Sequence, residues 1–415
     1  MLDIARLLWS ARRSGPSGID RVELNYAQHF LRTDALRPGY AVVHVMGWVF
    51  GLSPKVARRF IDGIAARWAG ARPSGHGRPV SALQVYAQLL SGPWMPGFEL
   101  RRRLKKYGQA PIFVVVSHHH LSIEGTIRRI RRFFGARCVC LLHDLIPIEY
   151  PEFVKPNREL RHRRATRTIS RCVDAVIVNS QTTADGFRAY LTREFGPEAH
   201  RPGIHVALIG VRGLPLSSDP SPLPEGPDSV PYFVVLGTIE PKKNHLLLLN
   251  LWCRFATTRV RPPRLHVIGA RGWENEQVID ILERSPRVRG LVEEHNRLDD
   301  AGVAALLTHA RALLVPSFVE GFGMPLAEAL ASGVPVICSD IAAFREVGRD
   351  VPEYVDPLDL PGWSDIILEY CDPHSERRAA QLRRLQGWPV PVWPDHFAVV
   401  ESVLDQVAAR PREFP

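Results

Sequence analysis

The sequence predicts an α/β protein built from two doubly wound, parallel-sheet domains, and three observations lead there. The stretch Ala312–Asp340 reads as a buried apolar strand, a glycine-containing loop, a short helix and a second strand, which is half of a doubly wound unit. The same order of strand, glycine loop and helix recurs over Tyr232–Phe255 and, less regularly, at the start of the chain. Between the two lies 213–231, dense in proline and poor in large apolar residues, which can form neither a helix nor a central strand. A first domain is therefore expected over 1–212, a linker over 213–231, a second domain over 232–388 and a terminal segment over 389–415. A chain of 415 residues is long enough for two such cores.

In the first domain, Leu2–Leu8 is expected as a strand, Ser10–Gly18 as a loop, and Ile19 to Leu31 as a helix with Val22, Tyr26, Phe30 and Leu31 near one face. Gly15 and Gly18 are the loop's glycines, so the G-x-G-x-x-G dinucleotide pattern is absent. Val42–Val49 reads as a strand, and Lys55–Trp68 as an amphipathic helix with Phe60, Ile61, Ile64 and Trp68 near one face and basic groups on the other, an arrangement that suits an anionic membrane surface. Ile112–Val116 is a buried strand that runs into His118, His119 and His120. Adjacent side chains on an extended chain alternate, so three consecutive histidines cannot face one ion, and no metal site is assigned there. His118 and His119 are instead candidates for the cleft rim. Arg137–Leu142 is the next strand and ends at His143-Asp144. A histidine at a strand's carboxyl end stands where α/β sheets bind ligands, whereas Asp144 is suited to capping or orienting. Asp174–Asn179 and Gln181–Leu191 complete the pattern as strand and helix.

The second domain opens with the strand Tyr232–Leu236, followed by Gly237 and Thr238, then Lys242 and Lys243 just ahead of a helix. Free N–H groups at a helix start, with two lysines beside them, make an anion pocket. Leu265–Ile268 leads into a loop in which Arg271 is in reach of a phosphate or a base, and Val288–Ala310 supplies a short strand and a helix. In the central stretch, Gly321 and Gly323 loosen the loop, Pro325 suits the first helical turn, and Glu320 and Glu328 frame the helix start. Beside an anionic ligand a carboxylate has one obvious use, accepting hydrogen bonds from hydroxyl groups. A ligand with phosphates in the middle and hydroxyls at both ends fits, and a nucleotide sugar is such a molecule. Asp340–Glu346 and Asp395–Arg410 read as a loop with helix start and a terminal amphipathic helix.

Glu320 and Glu328, with seven residues between them and Gly-Phe-Gly-Met-Pro inside, resemble the E-x7-E signature of the family 4 retaining glycosyltransferases. Gly237–His245 (GTIEPKKNH) resembles that family's diphosphate-binding element, Gly18–Ala27 (GIDRVELNYA) its G-I-x-R-V segment, and His143–Pro147 (HDLIP) its first-domain histidine pattern. The resemblance implies the GT-B fold, two Rossmann-like domains facing across a cleft, with the terminal helix often returning to the first domain. It implies Glu320, His143 and Lys243 as catalytic residues. Donor contacts fall to Glu328 at the ribose, to Gly321, Phe322, Gly323 and Met324 at sugar and diphosphate, and to Gly237, Thr238, Lys242 and Arg271. Gly18, Arg21, His118 and His119 become candidates on the cleft's other side. Many relatives carry an arginine where this chain has Thr238, which leaves room for a weaker cationic clamp or one completed by Arg212 or Arg271. The wording of the element leans toward mannosyltransferases of surface-polysaccharide pathways, hence GDP-mannose ahead of a UDP-sugar, with a glycan or lipid-linked acceptor. No D-x-D pair occurs, so no metal or other cofactor is expected. A GT-B nucleotide-sugar epimerase would need an acid/base carboxylate pair that the sequence does not offer. A non-catalytic binding subunit of a polysaccharide-assembly complex is the rival from another class.

The net charge of +10 hides an asymmetry. Residues 1–212 hold 33 Lys and Arg against 15 Asp and Glu, whereas the remainder is acidic by 8. The basic groups cluster at Arg101–Lys106, Arg128–Arg132 and Arg161–Arg167. That pattern suits an anionic membrane surface, where each basic residue adds ~1 kcal/mol when close. No nucleic-acid module accompanies it. The start lacks the cationic head and cleavage site of a signal peptide, and no apolar run is long enough to cross a membrane. Six cysteines without zinc spacing are expected as reduced thiols, which points to a cytoplasmic protein resting on the inner face of the cell membrane.

Overall fold

The computed structural model describes residues 1–13, 15–32, 39–45, 48–68, 95–118, 120–196, 202–214, 230–296 and 298–410. Two sheets organise them. The first contains β1 (Leu2–Asp3), β2 (Ala41–Val45), β3 (Trp48–Gly51), β4 (Met95–Pro96), β5 (Ile112–Val115), β6 (Arg137–Leu142), β7 (Ala175–Val178) and β8 (Gly203–Val206), in the order 4-3-2-1-5-6-7-8. The second contains β9 (Tyr232–Leu236), β10 (Arg264–Ile268), β11 (Val292–His295), β12 (Leu313–Val315), β13 (Val336–Ser339) and β14 (Glu353–Val355), in the order 11-10-9-12-13-14. The second is parallel throughout, and its chain order reverses at β9, the switch point at which such sheets bind ligands. The first is parallel from β2 across to β8, but β3 and β4 run antiparallel at its edge.

Two expectations in the first domain change. The strand expected over Leu2–Leu8 stops at Asp3, and Ala5–Ser10 is a helix. The Asp3 carboxylate accepts from the Ala5 N–H at 2.9 Å, turning the chain, and Ile4, Leu7 and Leu8 then bury at helical spacing. The single strand expected over Val42–Val49 is two antiparallel strands, with Val45 paired to Trp48. A third expectation also fails. The apolar stripe of the Pro54–Trp68 helix, with Phe60, Ile61, Ile64 and Trp68 all under 8% exposed, is buried in the domain core rather than free to enter a lipid surface.

The apolar core of the first domain continues into the second through the Trp393–Ala409 helix. This last helix packs on β6, β7 and β8, and its His396 bonds both to Tyr26 Oη (2.8 Å) and to the carbonyls of Ala207 and Leu208. Most of the proline-rich segment lies outside the described residues. All six cysteines are free thiols, four of them buried. Among the described residues no helix is long and apolar enough to cross a membrane.

Candidate active site

The second sheet supplies one side of the site. After β9 the chain makes a short turn, Pro241–Lys243, before the His245–Thr258 helix. After β12 it runs through Pro316 to Gly323 and enters the Met324–Ala331 helix. The Phe318 N–H bonds to the Lys242 carbonyl at 2.8 Å, so these two loops lie side by side. Glu320 is thereby set between two lysines. Lys242 Nζ lies 3.0 Å from one carboxylate oxygen, Lys243 Nζ bonds the other, and Ser317 Oγ adds a third donor at 3.1 Å. Burial alone would raise the Glu320 carboxyl, but the two ammonium groups outweigh it and hold the group down at about 2. Lys242 also approaches Glu240 at 3.7 Å. Burial disfavours its charge, but Glu320 and Glu240 outweigh that and raise its pKa.

Gly323 begins the helix at φ 95°, and a side chain there would strike the Phe344 ring at 2.6 Å. The Phe322 side chain is buried in the core, which leaves its backbone for any ligand of the loop. Glu328 lies one turn along the helix. Its carboxyl is raised to about 7, first by burial and further by Asp300, with Arg21 opposing.

The first domain meets this side directly. A Cβ on Gly321 would lie 2.5 Å from the His143 carbonyl oxygen, so only glycine allows the two backbones to approach this closely. Ser180 Oγ donates to the Gly321 carbonyl at 2.7 Å. Phe153 stacks on Phe318, Arg158 and Lys155 lie over Trp273, and Glu346 accepts from Gln181 N and from Thr182 N and Oγ1 at the start of the Gln181–Phe195 helix. Arg21 forks onto Asp300 of the second domain at 2.6 and 3.1 Å. Gly18 faces Met324, the two residues that open the facing helices.

His143 is buried and donates from Nε2 to the Val116 carbonyl at 2.8 Å, which fixes the tautomer and leaves Nδ1 as its second polar atom. Burial holds its pKa below the usual histidine range. His118 and His162 stand beside it, with ring centroids 5.0 Å apart, and His118 Nε2 is buried without a partner. Asp144 caps the short turn that follows, accepting from Ile146 N. His119 lies outside the described residues.

The structure therefore brings Glu320, Lys242, Lys243, Gly321 and His143 together, and sets Glu328, Arg21, Gly18 and Met324 at a second part of the same junction. Gly237 ends β9 against the Lys243 side chain, and Thr238 is exposed. Arg271 is not turned to this group; its guanidinium forks onto Glu294 and also bonds Glu283. Sequence reasoning missed Asp300, His162 and Glu346, whose partners lie far off along the chain and leave no local signal.

Two Rossmann-like domains, with lysines and a helix start at the switch point of the second, define a protein of the GT-B glycosyltransferase fold. The family description "Glycosyltransferase Family 4" matches residues 43–204, and "Glycosyl transferases group 1" matches residues 224–351. O-antigen chain mannosyltransferase B of Escherichia coli is 31% identical over 60% of this chain and 65% of its own length. The serotype-specific mannosyltransferase WbdA of Escherichia coli is 25% identical over 59% of this chain, and the match spans only 32% of that protein. The chain thus spans less than two thirds of either relative. Among solved structures, Anabaena HepE in complex with UDP and glucose superposes with a TM-score of 0.62 over 99% of both chains at 15% identity, a likeness of fold. The two family matches and the mannosyltransferase relatives together support a family 4 glycosyltransferase.

Proposed function

We propose that the chain is a retaining hexosyltransferase that moves a sugar, mannose first, from a nucleotide diphosphate donor to a glycan or polyprenyl-linked oligosaccharide during surface-polysaccharide synthesis. The observation that carries the reading is Glu320 clasped by Lys242 and Lys243 beside the Met324 helix start. A diphosphate entering there would draw on the lysines and free N–H groups, releasing Glu320 toward the sugar. Charge developing on the departing phosphate would be met by groups already in place, which is where electrostatic catalysis is most effective. The same groups would neutralise the diphosphate without a metal. His143 Nδ1 would accept from a sugar hydroxyl, Glu328 would accept from the ribose, and the closed junction would keep water from the donor. The relatives named as mannosyltransferases support mannose as the sugar, and GDP-mannose ahead of a UDP-sugar is our proposal for the donor.

For the membrane, what remains after the burial of the Pro54–Trp68 stripe is a different patch. Trp48 and Phe98 are each 72% exposed, Arg101 lies over the Phe133 ring, and Arg102 and Lys105 are exposed nearby. Aromatic and basic groups together suit the headgroup region of an anionic inner leaflet.

The test is binding and slow hydrolysis of GDP-, UDP-, ADP- and dTDP-sugars, with and without EDTA, beside Glu320→Ala. The expected pattern is one donor bound, hydrolysed equally with EDTA, and no longer hydrolysed by the variant. Binding of no donor would overturn the transfer reading in favour of a binding subunit.

A further inference from the structure

Parallel pairing of β10 and β11 sets His266 opposite Glu293 and Ile268 opposite His295. Because side chains alternate along a strand, His266, Glu293 and His295 all fall on one face of the sheet, at its edge. Their polar atoms converge. Nδ1 of His266 lies 3.0 Å from Nε2 of His295 and 3.5 Å from Oε2 of Glu293, and the last two atoms are 3.7 Å apart. Among the described residues this is the one group of three such side chains close enough to share an ion.

We propose that His266, Glu293 and His295 bind one divalent transition-metal ion, zinc in the first instance, on the shared face of β10 and β11. Zinc takes nitrogen and carboxylate ligands tetrahedrally at about 2.0–2.2 Å, which places neighbouring ligand atoms roughly 3.3–3.6 Å apart. The three observed separations bracket that edge length. A hydrogen-bonded histidine pair explains the 3.0 Å contact but not the carboxylate held near both rings. The Tyr232 ring meets His266 edge-on at 4.9 Å and fixes its plane, while Tyr232 Oη is itself anchored on the Leu306 carbonyl. Glu293 is half exposed, which leaves the fourth vertex to water.

The ion would pin the edge strand. His295 ends β11, its carbonyl receives the Gly269 N–H at 2.9 Å, and the chain then continues to Asp300, the partner of Arg21. Metal binding here is independent of sugar transfer.

The experiment uses untagged full-length protein stripped with EDTA, titrated with zinc by calorimetry and with cobalt by visible absorption. Expected are one zinc per chain, the intense bands of tetrahedral cobalt, and a zinc-dependent rise in Tm. Glu293→Gln, an exposed change that the fold tolerates, should weaken zinc about tenfold or more, and His295→Gln about 100-fold. Donor hydrolysis should be unchanged in Glu293→Gln, so that failure here and failure of the transfer reading are distinct results. No zinc uptake by the parent, or uptake of equal affinity in both variants, overturns the proposal.

Discussion

Glu320 and Glu328 sit on one strand–loop–helix and meet opposite fates. Both carboxyls are taken out of water, yet one is driven down to about 2 and the other up to about 7. The difference lies in the neighbours. Glu320 has two ammonium groups and a hydroxyl bonded to it, so its charge is balanced within the protein itself. Glu328 has Arg21 in range, but that guanidinium is already forked onto Asp300, whose own charge pushes Glu328 further up. One position is a charge already matched, which the proposed diphosphate would have to rearrange. The other lacks its counterpart until a ligand brings hydrogen-bond donors.

The largest way to break this contrast is to remove a lysine. Lys243→Ala should lower donor turnover by about 10²–10³-fold, the usual cost of losing one preorganised electrostatic contact in a closed site. It should also raise the Glu320 carboxyl. The sign follows from linkage: a group held below its ordinary 4.5 contributes stability above that value and loses it as pH falls toward about 2. Acid unfolding should therefore begin at a higher pH in the variant than in the parent, and acid titration followed by circular dichroism reads the shift. An unchanged acid limb would mean that Lys242 alone holds Glu320.

Glu328 supplies the next prediction, with the opposite sign. Its folded value of about 7 lies above the ordinary 4.5, so its share of stability is complete below 4.5, declines as pH climbs to about 7, and is flat beyond. Donor binding should run the other way. Ribose hydroxyls bond best to the ionised carboxylate, so affinity should fall up to tenfold per unit as pH drops below about 7. Binding should also release protons near that pH, seen as a heat that depends on the buffer's ionisation enthalpy. Glu328→Gln should flatten both profiles and weaken the donor by about tenfold, since a neutral amide replaces a charge-assisted acceptor.

The two glutamates are legible in the sequence because spacing along a loop and helix is local. So are the lysines of the Pro241–Lys243 turn and the switch-point strand that precedes them. Pattern misleads where a polar side chain overrides an apolar run, as Asp3 does in ending β1, or where one apolar stretch folds back on itself, as at β2 and β3. The Pro54–Trp68 stripe fails differently: amphipathicity reports that a face is covered but not by what. The contacts that decide the charge of Glu328 are invisible in the sequence, because Arg21 and Asp300 are 279 positions apart. For the same reason the His266–Glu293–His295 group leaves no spacing motif, since it exists only through the register of two strands.

The Arg21–Asp300 pair gives the smallest and sharpest test. Asp300→Asn removes a negative charge that raises Glu328 and, at the same time, frees Arg21 from its fork. Both changes favour the ionised carboxylate, so Glu328 should move toward the behaviour of Glu320. The midpoint of the donor-affinity profile should shift below about 7, by roughly one unit, the effect of removing a single nearby like charge. Affinity at about pH 8, where Glu328 is ionised in either protein, should change little. A midpoint that stays in place while affinity falls at every pH would show that Asp300 serves the closed junction rather than the charge of Glu328.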